Sequence, residues 1–136
     1  MLELAKQTKN LISFVHCSTA YVNCNRKGFV EDRIYKLDYE PEQMLEELRN
    51  MPKASLLKQE KKILKKYGYP NTYTFTKSLS EMLLEERKGS VPLNIVRPTI
   101  IGAAGIGVHH GWIDNAQAGK KKPFYFFFFE LKSFFI

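Results

Sequence analysis

Short apolar runs alternate along this chain with longer stretches of helical period. Residues 11–17, Leu11-Ile-Ser-Phe-Val-His-Cys17, are apolar, aromatic and β-branched and read as a buried strand. Residues 92–102 read as a second strand, through Leu93, Ile95 and Val96, running into a loop with Pro98 and Gly102. Between them the period changes to that of helices. In residues 41–51, Met44, Leu45, Leu48 and Met51 fall on one helical face behind Pro41, a favoured helix-starting residue. Residues 55–67 predict a basic amphipathic helix with Leu56, Leu57, Ile63 and Leu64 as its apolar stripe. Residues 70–89 predict a third helix, and residues 2–9 a short charged one ahead of the first strand. Residues 21–25 and 106–108 are weaker strand candidates.

The order strand, helices, strand points to an α/β protein, and its polar residues gather where such folds bind ligands. Ser18 and Thr19 close the first strand, and Arg97-Pro98-Thr99 close the second. In open α/β sheets, ligands lie beyond the carboxyl ends of strands. The third helix carries Tyr73 and Lys77, four residues apart and therefore on one face. An ammonium beside a phenol stabilises the phenolate, so Tyr73 is equipped to give or take a proton. A Tyr-x-x-x-Lys pair alone is weak, since both residue types are common on helices. The hydroxyls and the second strand end, in this order, make it specific.

Four segments carry a family resemblance. They are Phe14-Val-His-Cys-Ser-Thr-Ala-Tyr-Val-Asn-Cys-Asn-Arg26, Pro70-Asn-Thr-Tyr-Thr-Phe-Thr-Lys77, Ile95-Val-Arg-Pro-Thr-Ile-Ile-Gly102 and Gly111-Trp-Ile-Asp-Asn115. The chain resembles the extended short-chain dehydrogenase/reductases, and within them the eukaryotic, insect-like fatty acyl-CoA reductases. The match covers roughly residues 1–117 and includes a long insertion between Thr19 and Tyr73. The resemblance implies part of a Rossmann-like, doubly wound parallel sheet over residues 1–118, with a helical insertion at about 33–69. It implies NADPH as cofactor and long-chain fatty acyl-CoA as substrate, reduced through the aldehyde to the alcohol. Tyr73 would be the proton donor, and Thr19 or Ser18 would hydrogen-bond the carbonyl oxygen, Thr19 being favoured by alignment of the strand end. Lys77 would bind the nicotinamide ribose, with Tyr73, Arg97, Pro98 and Thr99 completing the cofactor contacts. The insertion would cap the acyl chain. Membrane association, at the endoplasmic reticulum or peroxisome, would come through parts not clearly present here. The open alternatives are another extended short-chain reductase, of sterol or sugar-nucleotide type, and a non-catalytic interaction module.

Departures from the pattern matter too. No glycine-rich strand-to-helix phosphate loop occurs; Gly102-Ala-Ala-Gly-Ile-Gly107 follows a strand but has the wrong spacing. Met1 is therefore expected to fall midway through a domain, and the chain alone to lack turnover and bind NADPH weakly. Residues 119–136 leave the family pattern: Lys120, Lys121 and Lys122 precede a run crowded with phenylalanine. A basic cluster before aromatics suits an anionic membrane surface, but a span needs about 20 apolar residues, and Glu130 and Lys132 interrupt this run. The tail reads as foreign to the domain. The start of the chain reads as a charged helix rather than as the long apolar run of a signal peptide.

Charge narrows the partners. A net charge of +7, from 21 Lys and Arg against 14 Asp and Glu in 136 residues, suits anionic ligands such as NADPH and the CoA phosphates. Nucleic acid is not expected, because no aromatics interleave the basic clusters and no nucleic-acid motif occurs. No metal site is expected: Cys17 and Cys24 are two and ill-spaced, and His109-His110 lack a further ligand at zinc spacing. His16 reads as a hydrogen-bonded structural histidine, and the helix at 55–67 as a solvated face covering the domain.

Overall fold

The computed structural model describes residues 1–105, 109, 111 and 112. They fall in two units, residues 1–99 and residues from 100 onward. The first unit runs α1 (Leu2–Gln7), β1 (Phe14–Cys17), a 3-10 turn (Ala20–Asn23), α2 (Pro41–Asn50), α3 (Lys53–Tyr67), α4 (Thr72–Arg87) and β2 (Leu93–Val96). The strands pair in parallel, Phe14 opposite Leu93 and Cys17 opposite Val96. Parallel neighbours need a long crossover, and the three helices α2, α3 and α4 provide it. This is a mixed α/β arrangement on a two-stranded parallel sheet, consistent with part of a Rossmann-like domain.

Three helix ends have a local reason in the sequence. Pro41 opens α2, where its missing N–H costs nothing. Gly68 closes α3 at φ +74°, a left-handed conformation that glycine adopts without strain, and Tyr69 N–H bonds back to the Leu64 carbonyl at 2.9 Å. Asn71 caps α4, its side chain accepting from Thr74 N–H at 2.9 Å.

The helices pack through Ile63, Tyr69 and Phe75, with Tyr39, Met44, Leu48, Leu64 and Tyr67 around them. Rings dominate this contact: Tyr69 meets Phe75 edge-on at 5.5 Å, and Tyr39 meets Tyr67 at 4.9 Å. The Tyr69 hydroxyl donates to Ser78 Oγ at 2.8 Å, so a buried phenol has its partner. Pattern along the strands alternates. Phe14, His16, Leu93 and Ile95 are half-buried, while Val15, Cys17, Asn94 and Val96 are exposed.

Three expectations change. Residues 21–25 form no strand: the Thr19 hydroxyl accepts from Tyr21 N–H at 3.3 Å and starts a 3-10 turn, which Val22 N–H to Thr19 O continues. Leu57 does not join the α3 stripe. At about 100° per residue it stands roughly 120° from Ile63, well round the helix, and it is 69 % exposed. His16 is not hydrogen-bonded at Nε2, which is buried without a partner. The candidate strand at 106–108 and the tail at 119–136 lie outside the described residues. In the second unit, Gly111 N–H bonds to Ala104 O, Ala104 N–H bonds to Trp112 O, and the His109 and Trp112 rings lie 5.9 Å apart.

Candidate active site

The parallel ladder runs beyond both strands and brings their ends together. Ser18 N–H donates to Val96 O at 2.7 Å, and Ala20 N–H donates to Pro98 O at 2.9 Å. Ser18 and Thr19 thus lie alongside Arg97 and Pro98. Helix α4 joins them through Lys77, whose ammonium donates to the Cys17 carbonyl at 2.9 Å, one residue before Ser18. The same ammonium lies 5.9 Å from the centre of the Tyr73 ring. Tyr73, in the first turn of α4, is 54 % exposed and open to a ligand. Four sequence candidates, Ser18, Thr19, Lys77 and Tyr73, are therefore linked through one strand end and one helix.

The two hydroxyls are not equivalent. Both are buried. Thr19 Oγ1 accepts from Tyr21 N–H, which leaves its own hydrogen free to donate. Ser18 Oγ has no partner at all. Two residues earlier on the strand, His16 Nε2 is in the same condition. Burial, and then the Lys77 charge, hold the imidazole below its ordinary value of 6.5, with Glu81 opposing them.

Arg97 is occupied differently from the cofactor role assigned to it. Its Nε donates to Glu81 Oε1 at 3.0 Å and its Nη2 to Glu81 Oε2 at 2.7 Å, a two-pronged pair between the end of β2 and α4. Nη1 meets Asp32, and Nη2 also reaches the Arg33 carbonyl at 3.2 Å. The Glu81 hydrogen bonds raise the guanidinium's already high pKa further. Every guanidinium nitrogen has a protein partner, which leaves the Arg97 backbone for any ligand contact. Sequence reading missed Glu81. Its signal was the spacing Tyr73, Lys77, Glu81, three residues at successive i+4 steps on one helical line.

Along that line exposure falls from Tyr73, open to solvent, through half-buried Lys77, to Glu81 at 1 %. Asn25, left without a role by its sequence, ties this region to α3: its side-chain amide donates to the Tyr67 carbonyl at 3.0 Å. Arg26 instead stacks on Tyr35, 3.8 Å from the ring centre, with Arg33 at 4.3 Å. A cavity of about 590 Å³ opens elsewhere, between α2 and α3, lined by Tyr39, Met44, Glu47, Lys62, Ile63 and Tyr67 among others. None of Ser18, Thr19, Tyr73 and Lys77 lines it. Among the described residues no group of His, Cys, Asp or Glu is placed to hold a metal ion, and no helix is long and apolar enough to cross a membrane.

A parallel strand pair joined by a helical crossover, with Ser18, Thr19, Arg97 and Pro98 at its carboxyl ends, is an α/β arrangement of the kind in which ligands lie beyond the strand ends. Within that class, residues 1–127 match the NAD-binding family described as Male sterility protein, and the chain belongs to it. It is 38 % identical over 115 residues to fatty acyl-CoA reductase 1 of Xenopus laevis, covering 85 % of this chain and 22 % of that protein. Similarity to fatty acyl-CoA reductase 2 of Homo sapiens, at 35 %, and to fatty acyl-CoA reductase 1 of Gallus gallus, at 36 %, has the same extent. The chain thus spans about a fifth, 22 %, of the length of these relatives. No solved structure matches it.

Proposed function

We infer that this chain supplies the proton-transfer side and the nicotinamide end of the site in a reductase that converts long-chain fatty acyl-CoA to the alcohol through the aldehyde. The observation that carries the reading is Lys77, whose ammonium ties the Tyr73 helix to the strand end bearing Ser18 and Thr19. The names and family of the relatives support the substrate class and a nicotinamide cofactor. A complete doubly wound sheet, NADPH as the particular cofactor and a location at the endoplasmic reticulum or peroxisomal membrane belong to the same proposal.

The residues present fit such a cofactor. In support, the Lys77 ammonium is anchored on the Cys17 carbonyl near the Pro98 backbone, and an accessible phenol stands one helical turn away, so a nicotinamide ribose and carboxamide would find donors and acceptors there. NADPH, when bound, supplies the hydride to the carbonyl carbon. Tyr73 delivers its phenolic proton to the carbonyl oxygen as negative charge grows there. The Thr19 hydroxyl, its acceptor side already used by Tyr21 N–H, donates a hydrogen bond to that oxygen. Lys77 keeps a positive charge beside the phenol and holds α4 in register with β1. The Arg97–Glu81 pair fixes the other strand end to the same helix, so it positions the site without touching substrate.

The test uses the protein at the full length of its relatives, assayed with NADPH and a long-chain acyl-CoA, and with sterol and sugar-nucleotide substrates in parallel. Tyr73→Phe should lower kcat at least 100-fold, the usual scale of a lost general acid, with NADPH affinity nearly unchanged. Thr19→Ala should cost more rate than Ser18→Ala. Retention of most activity by the Phe variant, or a preference for the other substrates, would refute the reading.

A further inference from the structure

We propose that the outer face of α3 is a docking surface for an anionic lipid bilayer, a role independent of the catalytic reading above. Lys58, Lys61, Lys62, Lys65 and Lys66 are all exposed. At about 100° per residue they fall within an arc of about 140° on one side of the helix. The only acid inside α3, Glu60, lies outside that arc. Lys62 and Lys66 border the cleft toward α2, where Asp38, Glu40 and Glu47 also stand and Asp38 lies 3.7 Å from Lys66. Lys58, Lys61 and Lys65 line none of it, fall within about 60° of one another and, among the described residues, form no ion pair. Unpaired charges of one sign repel each other, and a partner of opposite sign removes that cost.

Shape and composition choose the partner. Leu57 points away from the packed stripe and is 69 % exposed, about 40° from Lys61 along the same surface. A leucine at the margin of a lysine face suits a headgroup layer, into which the leucine dips while the lysine stems lie along the surface. A single-stranded nucleic acid would instead call for aromatic stacking platforms, and the exposed arc of α3 carries none.

The experiment measures binding of the whole chain to phosphatidylcholine vesicles with and without roughly 30 % phosphatidylserine, the anionic lipid of the inner leaflet. Wild type should bind the anionic vesicles selectively and release them at about 0.5 M salt, where screening is within a few ångströms. The variant Lys58→Gln/Lys61→Gln/Lys65→Gln should lose affinity on the order of 100-fold, since each lysine near an anionic surface is worth about fivefold. Leu57→Ala should lose a few-fold. Because the tail brings its own lysines, Lys120→Gln/Lys121→Gln/Lys122→Gln is the matched control and should keep most of the binding. Glutamine keeps helix propensity close to that of lysine, and unchanged circular dichroism excludes unfolding. Equal binding to neutral vesicles, loss confined to the tail variant, or tighter α3-dependent binding to single-stranded RNA than to vesicles would each overturn the proposal.

Discussion

Removing Arg97 should strand the Glu81 carboxylate inside the packed helix, and the cost can be worked from the structure. The Glu81 side chain is 2 % exposed and the Arg97 side chain 15 %. Their two hydrogen bonds, at 3.0 and 2.7 Å, are the contacts that compensate the buried charge. Breaking one partner of such a pair costs about 3–5 kcal/mol, far more than an exposed pair is worth. The residual exposure of Arg97 places Arg97→Ala toward the lower end, about 3 kcal/mol. Against a typical stability of about 5–15 kcal/mol, that is a large share. Urea unfolding followed by circular dichroism should show it as a midpoint lower by about 1–3 M, given slopes of about 1–3 kcal/mol per molar. Asp32→Ala is the internal control. Asp32 also meets Arg97, but its side chain is 96 % exposed, so its loss should cost under about 1 kcal/mol. A double variant, Glu81→Leu with Arg97→Met, removes both charges and should recover much of the loss. Arg97→Ala costing no more than Asp32→Ala would refute the argument, because Glu81 would then be reached by water.

Three further outcomes follow from single contacts. His16 has its folded value below 6.5, so the unfolded chain takes up the proton first; stability should therefore be constant above about pH 7, fall as pH drops through 6.5, and level off below the folded value. His16→Leu should flatten that slope in urea midpoints taken between pH 7.5 and 5.5, and an equally steep slope would show that other groups cause it. Asn71→Ala removes the α4 cap over Thr74 N–H and should destabilise by about 1 kcal/mol in the same unfolding assay, with Asn71→Asp nearly neutral. Tyr69→Phe leaves Ser78 Oγ buried without its donor and should cost about 1–2 kcal/mol; Tyr69→Phe with Ser78→Ala should cost less than the single change.

Much of the frame was legible because period and local chemistry agree. Pro41 before an apolar period marks a helix start, and the helices expected at 2–9, 41–51, 55–67 and 70–89 became Leu2–Gln7, Pro41–Asn50, Lys53–Tyr67 and Thr72–Arg87, every end within two residues. The two apolar runs became β1 and β2, in the parallel pairing that a long helical crossover requires. What failed to show in the sequence depends on partners distant along the chain. The resemblance and its place at a strand end give Arg97 a cofactor contact; the side-chain partner it finds is Glu81, 16 residues earlier on α4, which the sequence does not show. His16 sits in an apolar alternation that says nothing about whether Nε2 finds a donor. Residues 21–25 have strand-like composition, yet the chain turns as a 3-10 helix at Ala20–Asn23, where the Thr19 hydroxyl accepts from Tyr21 N–H and backbone bonds from Val22 and Cys24 continue the turn.

The i+4 line on α4 explains why these contacts belong together. Tyr73, Lys77 and Glu81 step down one side of the helix, and the two inner members each hold a different strand end: Lys77 the carbonyl of Cys17 on β1, Glu81 the guanidinium of Arg97 just past β2. The strands themselves are joined there by Ser18 N–H to Val96 O. Three pairwise links thus close a triangle among β1, β2 and α4, with Tyr73 the first residue of the helical line that carries two of them. A triangle of short polar contacts resists sliding better than apolar packing, because hydrogen bonds weaken steeply with angle and distance while dispersion is undirected. A charge such as Glu81 is costly in a core, and hydrophobic replacement of a buried pair is often neutral for stability. On the proposed reading of the site, its place here is explained by register: it would set how far α4 can travel along the sheet, and so where the Tyr73 phenol stands relative to the strand ends. On this reasoning the Leu/Met double variant separates the two roles, restoring stability while leaving the phenol less firmly placed and activity in the full-length protein reduced.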